Sequence, residues 1–97
     1  MNKNYFKLNF DNTITRLAGY PYGELVFREQ IGDNIDYSCT PIIIEFPDNI
    51  IKSASSFTQG FFKEIISKYG YDFIDDKVKI VTKNQSLINS IKENIVL

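Results

Sequence analysis

The sequence contains no histidine, and this absence removes several kinds of chemistry. Histidine is the commonest general base near neutral pH and the commonest metal ligand. Cys39 is the only cysteine, so the sequence predicts neither an internal disulfide nor a cysteine-based metal site. The five glycines are scattered and form no phosphate-binding loop. We therefore expect no catalytic residues, no bound metal and no cofactor.

Surplus positive charge and long apolar runs are also lacking. The formal net charge is −1, whereas direct binding to nucleic acid relies on an excess of Lys and Arg. No window approaches the roughly 20 apolar residues that cross a membrane, and the N-terminus has no apolar signal region. We expect a cytoplasmic protein that binds neither nucleic acid nor membranes directly.

What the chain does contain is enough apolar material for a folded core. Its 97 residues are 43% hydrophobic and include eight Phe and six Tyr. This length fits one domain, and the composition argues against disorder. We predict a single domain over residues 1–97.

The N-terminal pattern predicts a β-hairpin. Apolar and polar residues alternate over Tyr5–Phe10, a period that indicates a half-buried strand. Asp11 and Asn12 favour a turn, because their side chains bond their own backbone. Ile14–Leu17 can then return as the second strand.

Two helices are predicted from apolar spacing near the ends of the chain. The first covers about 22–35, because Pro21 suits the start of a helix and apolar residues follow at loosely helical intervals. The last covers Gln85–Val96, with Asn84 or Ser86 near its N-terminal cap.

The segment Ile42–Phe46 predicts the centre of the fold. Three consecutive β-branched residues without alternation indicate a strand covered on both faces. Lys77–Val81 is a further strand, and the preceding Asp75 and Asp76 are interpreted as a polar turn. The order strand, strand, helix, strand, helix, strand, helix predicts an α/β fold: a small mixed, partly parallel sheet with an N-terminal hairpin and helices packed on it.

The helix predicted over Ser56–Tyr69 has more apolar surface than one core contact needs. Ser55 or Ser56 is a natural N-cap, and Gly70 is a natural stop. Its apolar residues span roughly 180°, wider than a stripe of about 100°; they are Phe57, Phe61, Phe62, Ile65, Ile66 and Tyr69. We expect Phe62 and Ile66 to form an uncovered edge. The serines either cap the helix or offer a phosphorylation switch at its positive end.

An ordered set of these residues resembles the STAS-like domains of unknown function. The family pattern looks like an apolar strand ending in Asp-Phe, a short hook, and Ser-Phe opening a helix. Here the matching residues are Ile42–Phe46, Ile50 and Ser55-Ser56-Phe57. Upstream, Thr15-Arg16 and Gly19 are similar to an Arg-then-Gly motif, and the resemblance spans about 15–95. Glu45 replaces the family's Asp, and Gln59-Gly60 replaces an acidic pair.

This resemblance implies a function in protein binding. STAS domains such as anti-anti-sigma factors are non-enzymatic and bind a partner around the helix that starts at their switch serine. By resemblance the chain is a regulatory module whose partner is a protein such as a kinase-like ATPase. The partner-binding residues that we predict are Ser55, Ser56, Gln59, Phe62, Lys63 and Ile66.

Two other functions compete with this one. Small size and an absent catalytic set also suit a phage or mobile-element inhibitor of a bacterial defence system, of the anti-CRISPR type. An enzyme or nucleotide-binding domain fits least, because histidine and a phosphate loop are both missing. A homodimer is compatible with the sequence.

Overall fold

The structure is a computed structural model that describes residues 4–95. Five short strands and four helices follow one another along these residues. In chain order they are β1 (Tyr5–Lys7), β2 (Arg16–Leu17), α1 (Tyr20–Gln30), β3 (Ile42–Glu45), β4 (Lys52–Ser53), α2 (Ser55–Tyr69), α3 (Tyr71–Lys77), β5 (Val78–Val81) and α4 (Gln85–Ile95).

Three of the strands form one parallel sheet in the order β1–β3–β5, and β2 pairs in parallel with β4 in a second, smaller sheet. The predicted α/β class, with helices packed on a small sheet, is confirmed. The predicted N-terminal hairpin is wrong, because β1 pairs with β3 and never with β2. Asp11 does form a turn, with the Thr13 N–H donating to its carboxylate at 2.9 Å. After that turn, however, the chain continues to β2, which pairs with β4 instead of returning along β1.

The Ile42–Phe46 segment lies at the centre of the sheet, as predicted, but it is not buried on both faces. Ile42 and Ile44 are fully buried, whereas Ile43 is only half-buried. On that second face Ile43 stands between Tyr5 and Lys79 in the strand register, and both neighbours are exposed. The helices therefore cover one face of the sheet and leave the other partly open to water.

The first and last helices differ from their predicted bounds. α1 begins at Tyr20 and ends at Gln30, and a single 3₁₀ turn at Gly32–Asn34 occupies the rest of the predicted 22–35 range. Gly32 adopts a φ of 53°, a left-handed conformation that ends the helix and that glycine tolerates best. The predicted end of α4 at Val96 lies outside the described residues.

α3 is absent from the sequence prediction. Asp75 and Asp76 belong to this helix, so their interpretation as a polar turn is wrong, although both side chains are exposed. Gly70, with a φ of 85°, separates α2 from α3 and lets two helices follow each other directly. Within residues 4–95, no helix is both long and apolar enough to span a membrane.

Two glycines allow α1 and α2 to pack at very short range. A Cβ atom added to Gly23 would lie 2.7 Å from the Phe61 backbone nitrogen, and one added to Gly60 would lie 2.9 Å from the Tyr20 carbonyl carbon. Neither side has room for a methyl group. This close contact brings α2 over a group of rings that we call the inner phenylalanine cluster: Phe10, Phe27, Phe46, Phe57, Phe61 and Phe62, each no more than 8% exposed.

Candidate partner-docking site on α2

The N-terminus of α2 differs from the predicted serine cap. Ala54 is the N-cap residue, Ser55 is the first residue of the helix, and no side chain caps it. The Ser56 hydroxyl instead accepts a hydrogen bond from the Gly19 N–H at 2.9 Å, which ties α2 to the start of α1. Both serines are half-buried. The prediction that either serine is the N-cap is therefore wrong. Ser56 instead connects α2 to the start of α1.

Phe62 lies inside the molecule, so the prediction that it forms an exposed edge is wrong. Its side chain is 1% exposed and packs edge-to-face on Phe61, with the ring centroids 4.9 Å apart. α4 packs along this side of α2 and brings Ile91 to the same region. The apolar arc seen in the sequence is thus covered here by a second helix.

The uncovered side of α2 carries the rest of the predicted set. We call Ser55, Ser56, Gln59, Lys63 and Ile66 the α2 strip; Lys63 is exposed and the other four are half-buried. On the helix these residues project to the side opposite the buried Phe61 and Ile65. The structure therefore brings five of the six predicted residues onto one face.

Two tyrosines flank the α2 strip and make it a shallow depression. Tyr20 comes from the first turn of α1 and Tyr71 from the first turn of α3; they are 37% and 43% exposed. The depression has a volume of about 270 Å³. Its lining residues are Tyr20, Gln59, Lys63, Ile66, Ser67 and Tyr71.

Lys63 is the charged residue that lines the depression. The Lys63 Nζ donates to the Glu24 carboxylate at 3.2 Å and lies 5.9 Å from the centroid of the Tyr20 ring. The hydrogen bond and negative charge of Glu24 raise the pKa of Lys63, which therefore stays protonated. Gln59 is anchored on the other side, where its Nε2 donates to the Asn94 carbonyl at 3.4 Å. The strip thus presents an amide, an ammonium group and one aliphatic side chain between two phenol rings.

Sequence reasoning missed both flanking tyrosines. Tyr20 lies just before the helix that the sequence predicts over about 22–35, and Tyr71 follows the glycine that ends α2. Each is the first residue of a helix that was placed differently or not predicted. An aromatic residue directly beside a helix-breaking glycine is the signal that was available.

Among residues 4–95, no three or more His, Cys, Asp or Glu side chains are grouped so that they could hold a metal ion.

Comparison with protein-family models, with curated proteins and with solved structures gives no significant match for this chain. We therefore infer function from the geometry of its own residues.

Proposed function

We propose that the chain is a non-enzymatic regulatory module that acts by docking a partner protein on the α2 strip. The observation that carries this proposal is the depression between Tyr20 and Tyr71, where Ile66 and Lys63 are accessible together. Tyrosine is enriched at protein interfaces and among the residues that dominate binding energy, since its ring is large and its hydroxyl is polar.

The chemistry of the strip suits a protein better than a small ligand. Its depression is shallow and smaller than the 300–1,000 Å³ of typical ligand pockets. Lys63 is exposed and already pairs with Glu24. A carboxylate of the partner protein would therefore compete with Glu24 for the Lys63 ammonium group. A kinase-like ATPase in the cytoplasm is the partner that the resemblance to STAS-like domains suggests.

Site-specific photocrosslinking in the native host tests the proposed face. A photoreactive phenylalanine analogue replaces Gln59, and a control chain carries it at Lys52, which is exposed on β4. We expect a discrete crosslinked protein from position 59 only. The same set of products from both positions would contradict docking on this strip.

Charge and size changes on the strip then test the contacts themselves. Lys63→Glu and Ile66→Asp should each lower recovery of the crosslinked partner by about tenfold or more, a change typical of interface residues that matter. Lys52→Glu reverses a charge away from the strip and should leave recovery unchanged. If all three variants behave alike, the strip does not form the interface.

Regulation by serine modification is a separate part of the proposal. Ser56→Asp keeps an acceptor for the Gly19 N–H and adds a negative charge at the start of α2. We expect it to weaken crosslinking at position 59 more than Ser56→Ala does, because the alanine variant removes the hydroxyl without adding charge. Equal recovery with both variants would remove the regulatory role of Ser56 without touching the docking face.

A further inference from the structure

A groove between α1 and α2 lies directly beside the α2 strip. The two helices touch in their N-terminal halves, at Gly23 and Gly60. The groove opens beyond this contact, toward the C-terminal ends of both helices, and has a volume of about 540 Å³. Lys63 and Ser67 line both this groove and the depression of the docking site. The two hollows therefore form one continuous surface.

Arg28 is the cation in this groove that has no carboxylate partner. Glu24 lies one helical turn before Arg28, a spacing at which opposite charges commonly pair. The Glu24 carboxylate, however, accepts from the Lys63 Nζ at 3.2 Å, across the gap between the helices. Glu64, on the other wall, pairs with Lys68 at 3.9 Å. Within residues 4–95, the Arg28 side chain is exposed and makes no ion pair and no hydrogen bond.

We propose that Arg28 is a specificity-determining residue of the docking site and binds a carboxylate side chain of the partner protein. This inference rests on the proposed docking at the α2 strip, and it names the chemical group that the partner presents. Lys63 must release Glu24 before it binds another carboxylate, whereas Arg28 has no carboxylate to release. The planar guanidinium matches a carboxylate through two parallel hydrogen bonds. Arginine, like the two flanking tyrosines, is also enriched among the residues that dominate binding energy.

The charges around the groove favour a carboxylate over a phosphate group. Three carboxylates line the groove with two cations, so the lining is net negative; the residues are Glu24, Asp33, Glu64, Arg28 and Lys63. A phosphate group on a side chain carries a charge of about −1.5 to −2 at neutral pH. It therefore meets more repulsion here than a singly charged carboxylate does. A carboxylate that pairs with Arg28 also leaves the Glu24–Lys63 ion pair in place.

A simpler role for Arg28 comes from its place in the last turn of α1, where a cation interacts favourably with the helix dipole. That role requires only a positive charge, so Arg28→Lys would preserve it. Two parallel hydrogen bonds to a carboxylate require the guanidinium itself. A comparison of Arg28→Lys with the wild type therefore separates the two roles.

Recovery of the partner crosslinked at position 59 tests the inference. Arg28→Glu should lower recovery by about tenfold or more, because it opposes two like charges. Arg28→Lys keeps the charge but loses the paired hydrogen bonds, so it should lower recovery by about twofold to fivefold. Arg16→Glu changes the other arginine of the chain, which is exposed on β2, and should leave recovery unchanged. Losses of recovery that only follow losses of folding stability, measured by urea unfolding, would assign Arg28 to the helix dipole and overturn the inference.

Carbodiimide coupling then identifies the group that faces position 28. The reagent joins a carboxylate to a neighbouring amine, and Arg28→Lys supplies an amine there. With the partner captured through position 59, mass spectrometry should find an amide bond between this amine and an Asp or Glu side chain of that protein. Arg16→Lys is the control and should form no bond to the partner. Bonds from position 28 only to Glu24 or Glu64 of the same chain, or no bond at all, would overturn the carboxylate contact.

The two proposals fail in different ways. If the wild-type chain gives no discrete product at position 59, docking on the α2 strip is wrong, and the role of Arg28 is wrong with it. If the product forms but does not respond to Arg28→Glu, the docking face stands and only the contact at Arg28 is wrong.

Discussion

Two groups of aromatic rings in this molecule have similar geometry but very different surroundings. In the inner phenylalanine cluster, Phe61 lies 5.6–6.2 Å from the ring centroids of Phe27, Phe46 and Phe57. In the outer tyrosine cluster, which we define as Tyr37, Tyr69 and Phe73, the centroids are 4.7–6.1 Å apart.

Ring contact is therefore not what distinguishes the two clusters; exposure to water is. Phe61 is 1% exposed, whereas Tyr69 is 48% exposed. Two of the outer rings also carry hydroxyl groups, and the Lys68 ammonium lies 5.5 Å from the Tyr37 ring centroid. Because hydrophobic stabilisation scales with the apolar area removed from water, we expect the fold to depend on the inner cluster and only weakly on the outer one.

The largest effect should come from removing the central inner ring. Phe61→Ala should lower the free energy of unfolding by about 3–5 kcal/mol, through lost burial and an unfilled cavity. Tyr69→Ala is the matched control on the same helix and should cost about 1 kcal/mol. Urea unfolding measures both. Comparable losses would mean that burial does not separate the two clusters.

The second effect concerns how α1 and α2 close over the inner cluster. Gly60→Ala forces a methyl group against the Tyr20 backbone and should lower the free energy of unfolding by about 2–3 kcal/mol. Gly32→Ala is the control: nothing lies within 4 Å of its added Cβ, so only the strain of its φ of 53° remains, about 1 kcal/mol.

Asparagine separates the two mechanisms further. Asn tolerates left-handed backbone better than Ala does, so Gly32→Asn should recover much of the loss seen with Gly32→Ala. Gly60→Asn should be worse than Gly60→Ala, because the obstacle there is space. If Gly60→Asn were tolerated, the helices would not be in the close contact described above.

The sequence located the elements that depend on local signals. It could not show which of two similar residues on a helix is covered by a distant segment. The β-branched run of β3 and the Gly70 stop of α2 are local signals, and both elements lie where the pattern predicted them. Phe62 and Ile66 looked equivalent on a helical projection. α4 covers the first and leaves the second half-exposed, a choice set by packing between distant segments.

The prediction of an N-terminal hairpin failed for a related reason. Tyr5–Phe10 and Ile14–Leu17 have the alternation and the turn residues of a hairpin, but alternation does not specify the partner strand. β1 pairs with the long-range strand β3, which carries two fully buried isoleucines. The same limitation hides the two tyrosines that flank the α2 strip: they belong to α1 and α3, and only the folded chain brings them beside Ile66.

The smallest effect should appear in the outer tyrosine cluster at high pH. Burial, together with the negative charge of Glu64 and the neighbouring Tyr69, raises the pKa of Tyr37 to about 12. In the unfolded chain the pKa of this tyrosine is about 10, so the unfolded state loses its proton first as pH rises. The associated stability is fully present below about pH 10 and is lost between about pH 10 and 12. Because Tyr37 is only half-buried, water screens the effect, and we expect a loss of about 1 kcal/mol.

Tyr37→Phe isolates this contribution from the other groups that titrate at high pH. The Tyr37 hydroxyl is buried and has no hydrogen-bond partner within residues 4–95, so its removal should be neutral or stabilising by up to about 1 kcal/mol at neutral pH. The advantage of the variant over the wild type should then widen as pH rises from about 10 to 12. Tyr71→Phe, at an exposed tyrosine, is the control at neutral pH and should leave the free energy of unfolding unchanged there. Urea unfolding at both ends of this range gives the two differences. A destabilised Tyr37→Phe variant would mean that the hydroxyl has a favourable partner in solution, and the outer cluster would then contribute polar contacts as well as ring packing.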